Sequence, residues 1–180
     1  MLSEDSRFDP NNFFFSGFSY GGHHAHFLFE DLNFTSEHVW AAIVAAEPPC
    51  NAFFKAEKYD TAVLTLKGGE SHYKPRPCEI FTELYQNKGT DATLIVYPES
   101  NHYFSHNGEI TKGLAFNGCN DNPIIMQNNE VWAFLNGEKA NREIAVKRCM
   151  TKTGGSGKSR EDLDLAIDAT IKFFKEKTNH

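Results

Sequence analysis

Basic side chains are the minority here: 18 Lys and Arg stand against 24 Asp and Glu, a net charge of -6 with a pI near 5.7. No segment gathers the clustered Lys and Arg that phosphate backbones require, so nucleic acid is excluded as a partner. Long apolar runs are lacking too, and none approaches the ~18–20 residues that span a bilayer. The opening MLSEDSRFDPNN is acidic and polar where a leader is basic then apolar. The expectation is therefore no membrane partner, no anchor and no secretion signal in the chain as written. The four cysteines, Cys50, Cys78, Cys119 and Cys149, include no C-x-x-C pair, which removes the zinc-ribbon pattern and leaves two disulfides or four buried thiols. No internal repeat is visible. What is present, 40% hydrophobic residues over 180, suffices for one domain with a real core, and small-molecule chemistry is the class left.

Several apolar runs are too unbroken for half-exposed strands. Val39 to Ala46 (VWAAIVAA) stops at Glu47-Pro48-Pro49, and Thr61 to Leu66 (TAVLTL) stops at Lys67-Gly68-Gly69. Aliphatic runs of this kind suit parallel strands buried on both faces. Asn12 to Ser16 reads as a further short strand, Tyr20 to Asp31 as a helix, and Ala92 to Tyr97 as a strand ended by Pro98. Pro77 to Lys88 places Ile80, Phe81, Leu84 and Tyr85 on one helical face, with Gly89 as terminator. Beyond residue 99 the chain is rich in Asn and Gly, with a helix expected around Asn129 to Leu135. A strong amphipathic helix then runs from Ser159 to Lys177, with Glu161 and Asp162 in its first turn and Lys175 and Lys177 in its last. The order implies an α/β fold with a mostly parallel sheet and flanking helices.

The stretch Phe13 to Phe27, FFFSGFSYGGHHAHF, carries the densest signal. Gly17-Phe18-Ser19-Tyr20-Gly21 is a G-x-S-x-G pattern between a predicted strand and a predicted helix, the setting of a nucleophile elbow. A serine hydroxyl attacks only when a base removes its proton, and a tight turn presents it best. The amide of Tyr20, at the start of the helix, would be one oxyanion donor. His102 lies just beyond the strand ending at Tyr97, and Glu70 just beyond the strand ending near Leu66, where open α/β sheets place their sites. Serine, acid, histidine is the order that α/β-hydrolases use.

Together FFFSGFSYGGHHA, LKGGESHYKPRPC, LIVYPESNHYF and the late Cys119 and Cys149 resemble the C-terminal half of a dienelactone hydrolase-like α/β-hydrolase, over essentially the whole chain. The resemblance implies Ser19 as nucleophile and His102 as general base. Well-studied dienelactone hydrolases use cysteine at the nucleophile position, so the likeness is to a serine-using group and does not transmit the dienelactone substrate. The family pattern G-x-x-D-x-x-x-P, laid on Gly68 and Pro75, puts Ser71 at the acid position, with Glu70 beside it and one methylene longer than the family's aspartate. The resemblance also implies several strands before the elbow, whereas about a dozen residues precede it. The expectation is a single, partial domain over residues 1–180 that lacks the N-terminal strands, either a fragment or a chain completed by another, with self-association through the exposed sheet edge.

Two functional readings are open. One is a serine hydrolase cleaving a small-molecule ester or lactone with Ser19, His102 and Glu70. The other is a catalytically silent hydrolase-like module that binds or supports. Neither requires a cofactor. His23, His24 and His26 suggest a metal at first sight, but on a helix only His23 and His26 share a face and no third ligand stands near, so no metal is expected. His72 and His106 read as loop residues, with His106 a reserve base. Gly154 to Ser159 fails the spacing of a phosphate loop, and Asn33-Phe34-Thr35 is a glycosylation sequon by letter alone. The cysteines are expected to pair as Cys50 with Cys78 and Cys119 with Cys149. Cys50 follows one strand and Cys78 opens the helix after its neighbour, and such pairing would favour a periplasmic or secreted location.

Overall fold

Runs that are apolar on every side can be satisfied only by cover on both faces, and the two longest become central strands. In a computed structural model that describes residues 5–30, 40–104, 114–127, 131–152 and 162–178, β2 (Ala42–Ala46) and β4 (Ala62–Gly68) are buried almost throughout. They lie inside a four-stranded, all-parallel sheet of order β1-β2-β4-β5, flanked by β1 (Phe14–Phe18) and β5 (Ala92–Tyr97). Alternation along the strands divides the core. Ile43, Ala45 and Val63 face α1 (Tyr20–Glu30) and α2 (Arg76–Gln86), packing with Ala25, Ile80, Phe81 and Tyr85. Val44, Leu64 and Leu66 face the other way, with Ala166 and Phe173 of α4 (Leu163–Glu176).

The expected helix after Pro75 forms with Ile80, Phe81 and Tyr85 buried, and Gly89, at φ 87°, turns the chain out of it. The last helix begins at Leu163; Ser159, expected at its start, and Glu161, expected in its first turn, lie outside the described residues, as do the glycine-rich segment 154–159, the sequon at 33–35 and His106.

A second sheet accompanies the first, beyond anything the sequence pattern predicts. The β2-to-β4 crossover carries a short strand, β3 (Ala52–Phe54), which pairs in parallel with β6 (Ile124–Met126). Strands β7 (Trp132–Phe134) and β8 (Lys139–Ala140) then add antiparallel. The helix expected around residues 129 to 135 is thus corrected to a strand, because β6 and β8 supply ladder partners on both sides. Helix α3 (Arg142–Cys149) comes next, its N-terminus capped by the Asn141 side chain accepting from the Ile144 amide at 2.8 Å.

Both cysteine pairings are present: Cys50 with Cys78, at 5.1 Å between Cα atoms, and Cys119 with Cys149, at 4.9 Å. The first ties the end of β2 to α2, and the second ties the 3₁₀ turn at Asn117–Cys119 to the end of α3. Among the described residues, no helix is long and apolar enough to cross a membrane.

Candidate active site

The carboxyl ends of β1, β2, β4 and β5 meet at one rim of the parallel sheet, and the chemistry-bearing side chains collect there. At the end of β1 the backbone turns through Ser19 at φ 56°, a left-handed conformation that costs a residue with a side chain about 1–3 kcal/mol. Two hydrogen bonds hold it: the Ser19 amide donates to the Ala46 carbonyl at 2.8 Å, and the Ser19 carbonyl accepts from the His23 amide at 3.0 Å, starting α1. The steric need for glycine falls on Gly17, where a Cβ would overlap the Gly21 carbonyl, and on Gly22, where one would come within 2.5 Å of the Ala46 carbonyl oxygen. Gly21, the second glycine of the motif, has open space.

His102 follows β5 in a loop held close to β4. A Cβ on Gly68 would meet the Asn101 carbonyl oxygen at 2.5 Å, and the Glu70 amide donates to the Ser100 carbonyl at 2.9 Å. The loop brings His102 Nε2 to 2.9 Å from Ser19 Oγ. His102 Nδ1 lies 2.8 Å from a carboxylate oxygen, but the carboxylate belongs to Glu47.

The acid expected at Glu70, with Ser71 as the other candidate, is corrected accordingly. Glu47 sits one residue past β2, itself at φ 54°, and its amide donates to the Leu66 carbonyl at 2.8 Å. Its side chain is fully buried and accepts from every direction: Oε2 from His102 Nδ1, from Lys67 Nζ at 2.8 Å and from Ser71 Oγ at 2.7 Å, and Oε1 from the Gly68 amide. Ser71 therefore serves the carboxylate as a hydrogen-bond donor. Glu47 has a sequence signal: a charged residue that ends an apolar strand immediately before two prolines is placed by the strand itself. Lys67, a lone cation in a buried run, has the same kind of signal.

Burial pushes the Glu47 carboxyl up, but the Lys67 charge and the His102 hydrogen bond outweigh it and hold the group below the usual range. Burial lowers Lys67, against the pull of Glu47. Desolvation also brings His72, whose ring centroid is 4.6 Å from that of His102, to about 4. Phe18 and Tyr103 stack with each other at 6.1 Å and lie 5.3 and 5.2 Å from the His102 ring, so the imidazole is walled by aromatics. Tyr20 begins α1, whose first amides have no acceptor within the helix, and its own side chain is exposed.

The three clustered histidines take separate roles. His24 Nδ1 donates to the Tyr20 carbonyl at 2.9 Å. His23 packs edge-on against Phe27 at 4.4 Å. His26 is buried, stacked on Phe81 at 4.3 Å and bonded to Thr65 Oγ1 at 3.0 Å. Among the described residues no group of three or more His, Cys, Asp or Glu could hold a metal ion. An apolar cavity of about 360 Å³ lies on the α4 side of the sheet; Gly17 and Phe18 border it, whereas Ser19, Glu47 and His102 do not.

A parallel sheet with helices on both faces, an elbow serine after its edge strand and a histidine after its last strand defines an α/β-hydrolase-like fold. No family model matches the chain, and no curated protein matches its sequence. Among solved structures it is similar to a Klebsiella pneumoniae protein described as a dienelactone hydrolase, with 21% identity and a TM-score of 0.41 over 53% of this chain and 42% of that one. It is also similar to the Pyrococcus horikoshii acylaminoacyl peptidase, with 11% identity and a TM-score of 0.43 over 56% of this chain and 22% of that one. The chain thus spans under half the length of either protein, and likeness at this level says nothing of chemistry or substrate.

Proposed function

We propose that the chain carries the acyl-transfer machinery of a serine hydrolase acting on a small-molecule ester or lactone. The observation that carries the reading is the continuous chain from Ser19 Oγ to His102 Nε2 at 2.9 Å and from His102 Nδ1 to Glu47 Oε2 at 2.8 Å, built on a strained elbow. Ser19 Oγ attacks the carbonyl carbon while its proton passes to His102 Nε2. Glu47 holds Nδ1–H, which fixes the tautomer with a bare Nε2 and stabilises the imidazolium that forms. The oxyanion develops over the N-terminus of α1, where the Tyr20 amide serves as one donor. Collapse returns the proton to the leaving oxygen, and water, activated by the same imidazole, releases the acid.

One ground for the alternative of a silent module is an acid position without a carboxylate, and the Glu47 carboxylate beside His102 Nδ1 counts against that ground. Fluorophosphonate labelling separates the two readings, because only an activated serine reacts readily. The expected outcome is a single adduct on Ser19, absent in Ser19→Ala, with hydrolysis of simple aryl esters lost in the same variant. A folded protein that takes no label would leave the silent module.

A further inference from the structure

We propose that Lys67 is a positioning residue whose buried ammonium balances the charge of Glu47 and so sets the pH range in which His102 can take the Ser19 proton; the inference rests on the serine hydrolase reading. Lys67 and Glu47 are both without solvent exposure, 2.8 Å apart, and one carboxylate oxygen serves Lys67, Ser71 and His102 together. A buried carboxylate without a counter-charge draws a proton to the nearest group able to hold one, and that group is the imidazole at 2.8 Å. Imidazolium has no lone pair at Nε2 for the serine proton. With Lys67 in place the charge of the acid is balanced, and Nδ1–H is still held by the same oxygen.

Other titratable groups stand near the pair. From α1, His26 faces the Lys67 region and is pushed by burial, with smaller contributions from His23 and Lys67, to about 3, so it carries no charge near neutrality. From the loop after β4, His72 is held at about 4, and Tyr73, 5.5 Å from the His102 ring and under the Lys67 ammonium at 5.6 Å, is raised by burial and stays neutral. Lys74 adds positive charge from the same loop and disfavours a second cation at Lys67. Phe18 and Tyr103 bring their rings to within 5.3 and 5.2 Å of the imidazole. Near neutral pH the charges paired beside the imidazole are those of Glu47 and Lys67, with Lys74 farther out.

The test is the rate of fluorophosphonate labelling between pH 5 and 10 in the wild type, Lys67→Met and Lys67→Arg. In Lys67→Met the acid limb should move up by about one to two units, the size of effect a close charge has on a neighbour. At a pH below both limbs that is a ~10- to 100-fold slower reaction, with most of the rate recovered at high pH. Lys67→Arg keeps the charge and should keep the limb. A lowered plateau with an unmoved limb would mean that Lys67 only supports the fold, and would overturn the proposal while leaving the hydrolase reading intact; a wild type that takes no label on Ser19 would end both. Should Lys67→Met fail to fold, the wild type still decides the matter by side-chain nitrogen NMR, in which Lys67 is expected as an ammonium at pH 7 and a neutral amine there would refute the proposal.

Discussion

Replacing Glu47 by Gln separates the carboxylate found at His102 Nδ1 from the one the sequence suggests. The carboxylate accepts from Lys67, Ser71, His102 and the Gly68 amide, all of them donors. A glutamine keeps one acceptor oxygen and turns an NH₂ toward the rest, so at least one buried donor loses its partner and Lys67 loses its counter-charge. Removing one member of a buried ion pair costs about 3–5 kcal/mol, a large share of the 5–15 kcal/mol by which domains are stable. An NH₂ turned toward Nδ1 selects the wrong tautomer, and in a comparable triad that lowers kcat by ~10⁴. Glu47→Gln should therefore show both effects, lower stability in urea unfolding and near-complete loss of Ser19 labelling and ester turnover. Glu70→Gln, whose side chain is not the one at Nδ1, should keep its turnover. An active Glu47→Gln, or an inactive Glu70→Gln that folds, would refute the assignment.

Gly17→Ala places a methyl group on the Gly21 carbonyl and should abolish labelling or folding, whereas Gly21→Ala has open space and should stay within ~1 kcal/mol, gaining helix propensity; equal damage from both would mean that the elbow is built otherwise. Burial lowers His26 from 6.5 to about 3, so below pH 6.5 the unfolded chain binds a proton that the folded one does not, and stability falls as pH drops through that window. At pH 5 the loss from His26 is about 2 kcal/mol relative to pH 8, and His26→Gln should flatten that part of the profile in urea unfolding; a flat wild-type profile from pH 7 to 5 would contradict it. Replacing Cys119 and Cys149 by serine opens a loop of sequence separation 30 and should cost about 3–4 kcal/mol in the chain-entropy account, visible as a lower thermal midpoint; an unchanged midpoint would show that the bridge constrains little.

What the sequence by itself determined is local. Ser19 is legible because elbow geometry needs its glycines within five residues, although the spatial demand falls on Gly17 and Gly22 and not on the motif's Gly21. The parallel strands are legible because VWAAIVAA and TAVLTL can only be covered on both faces, and His102 because a strand stopped by Pro98 delivers the next few residues to the sheet rim. The second sheet is hidden because β3, β6 and β7 have three residues each and β8 two, too short for a period to show. VWAFL has the pattern of a helix and is a strand through partners it cannot name. The acid needed tertiary structure most of all. Glu47 is 28 residues from Ser19 and 55 from His102, and nothing near it in the chain resembles a motif. Parallel pairing of β2 with β4 places Ala46 opposite Leu66, and one step further sets Glu47 beside Lys67, under the loop that brings in His102. A carboxylate and an ammonium that stand in the sequence as the polar ends of two separate apolar runs become one buried pair, because sheet register, which no local pattern encodes, brings the two strand ends level.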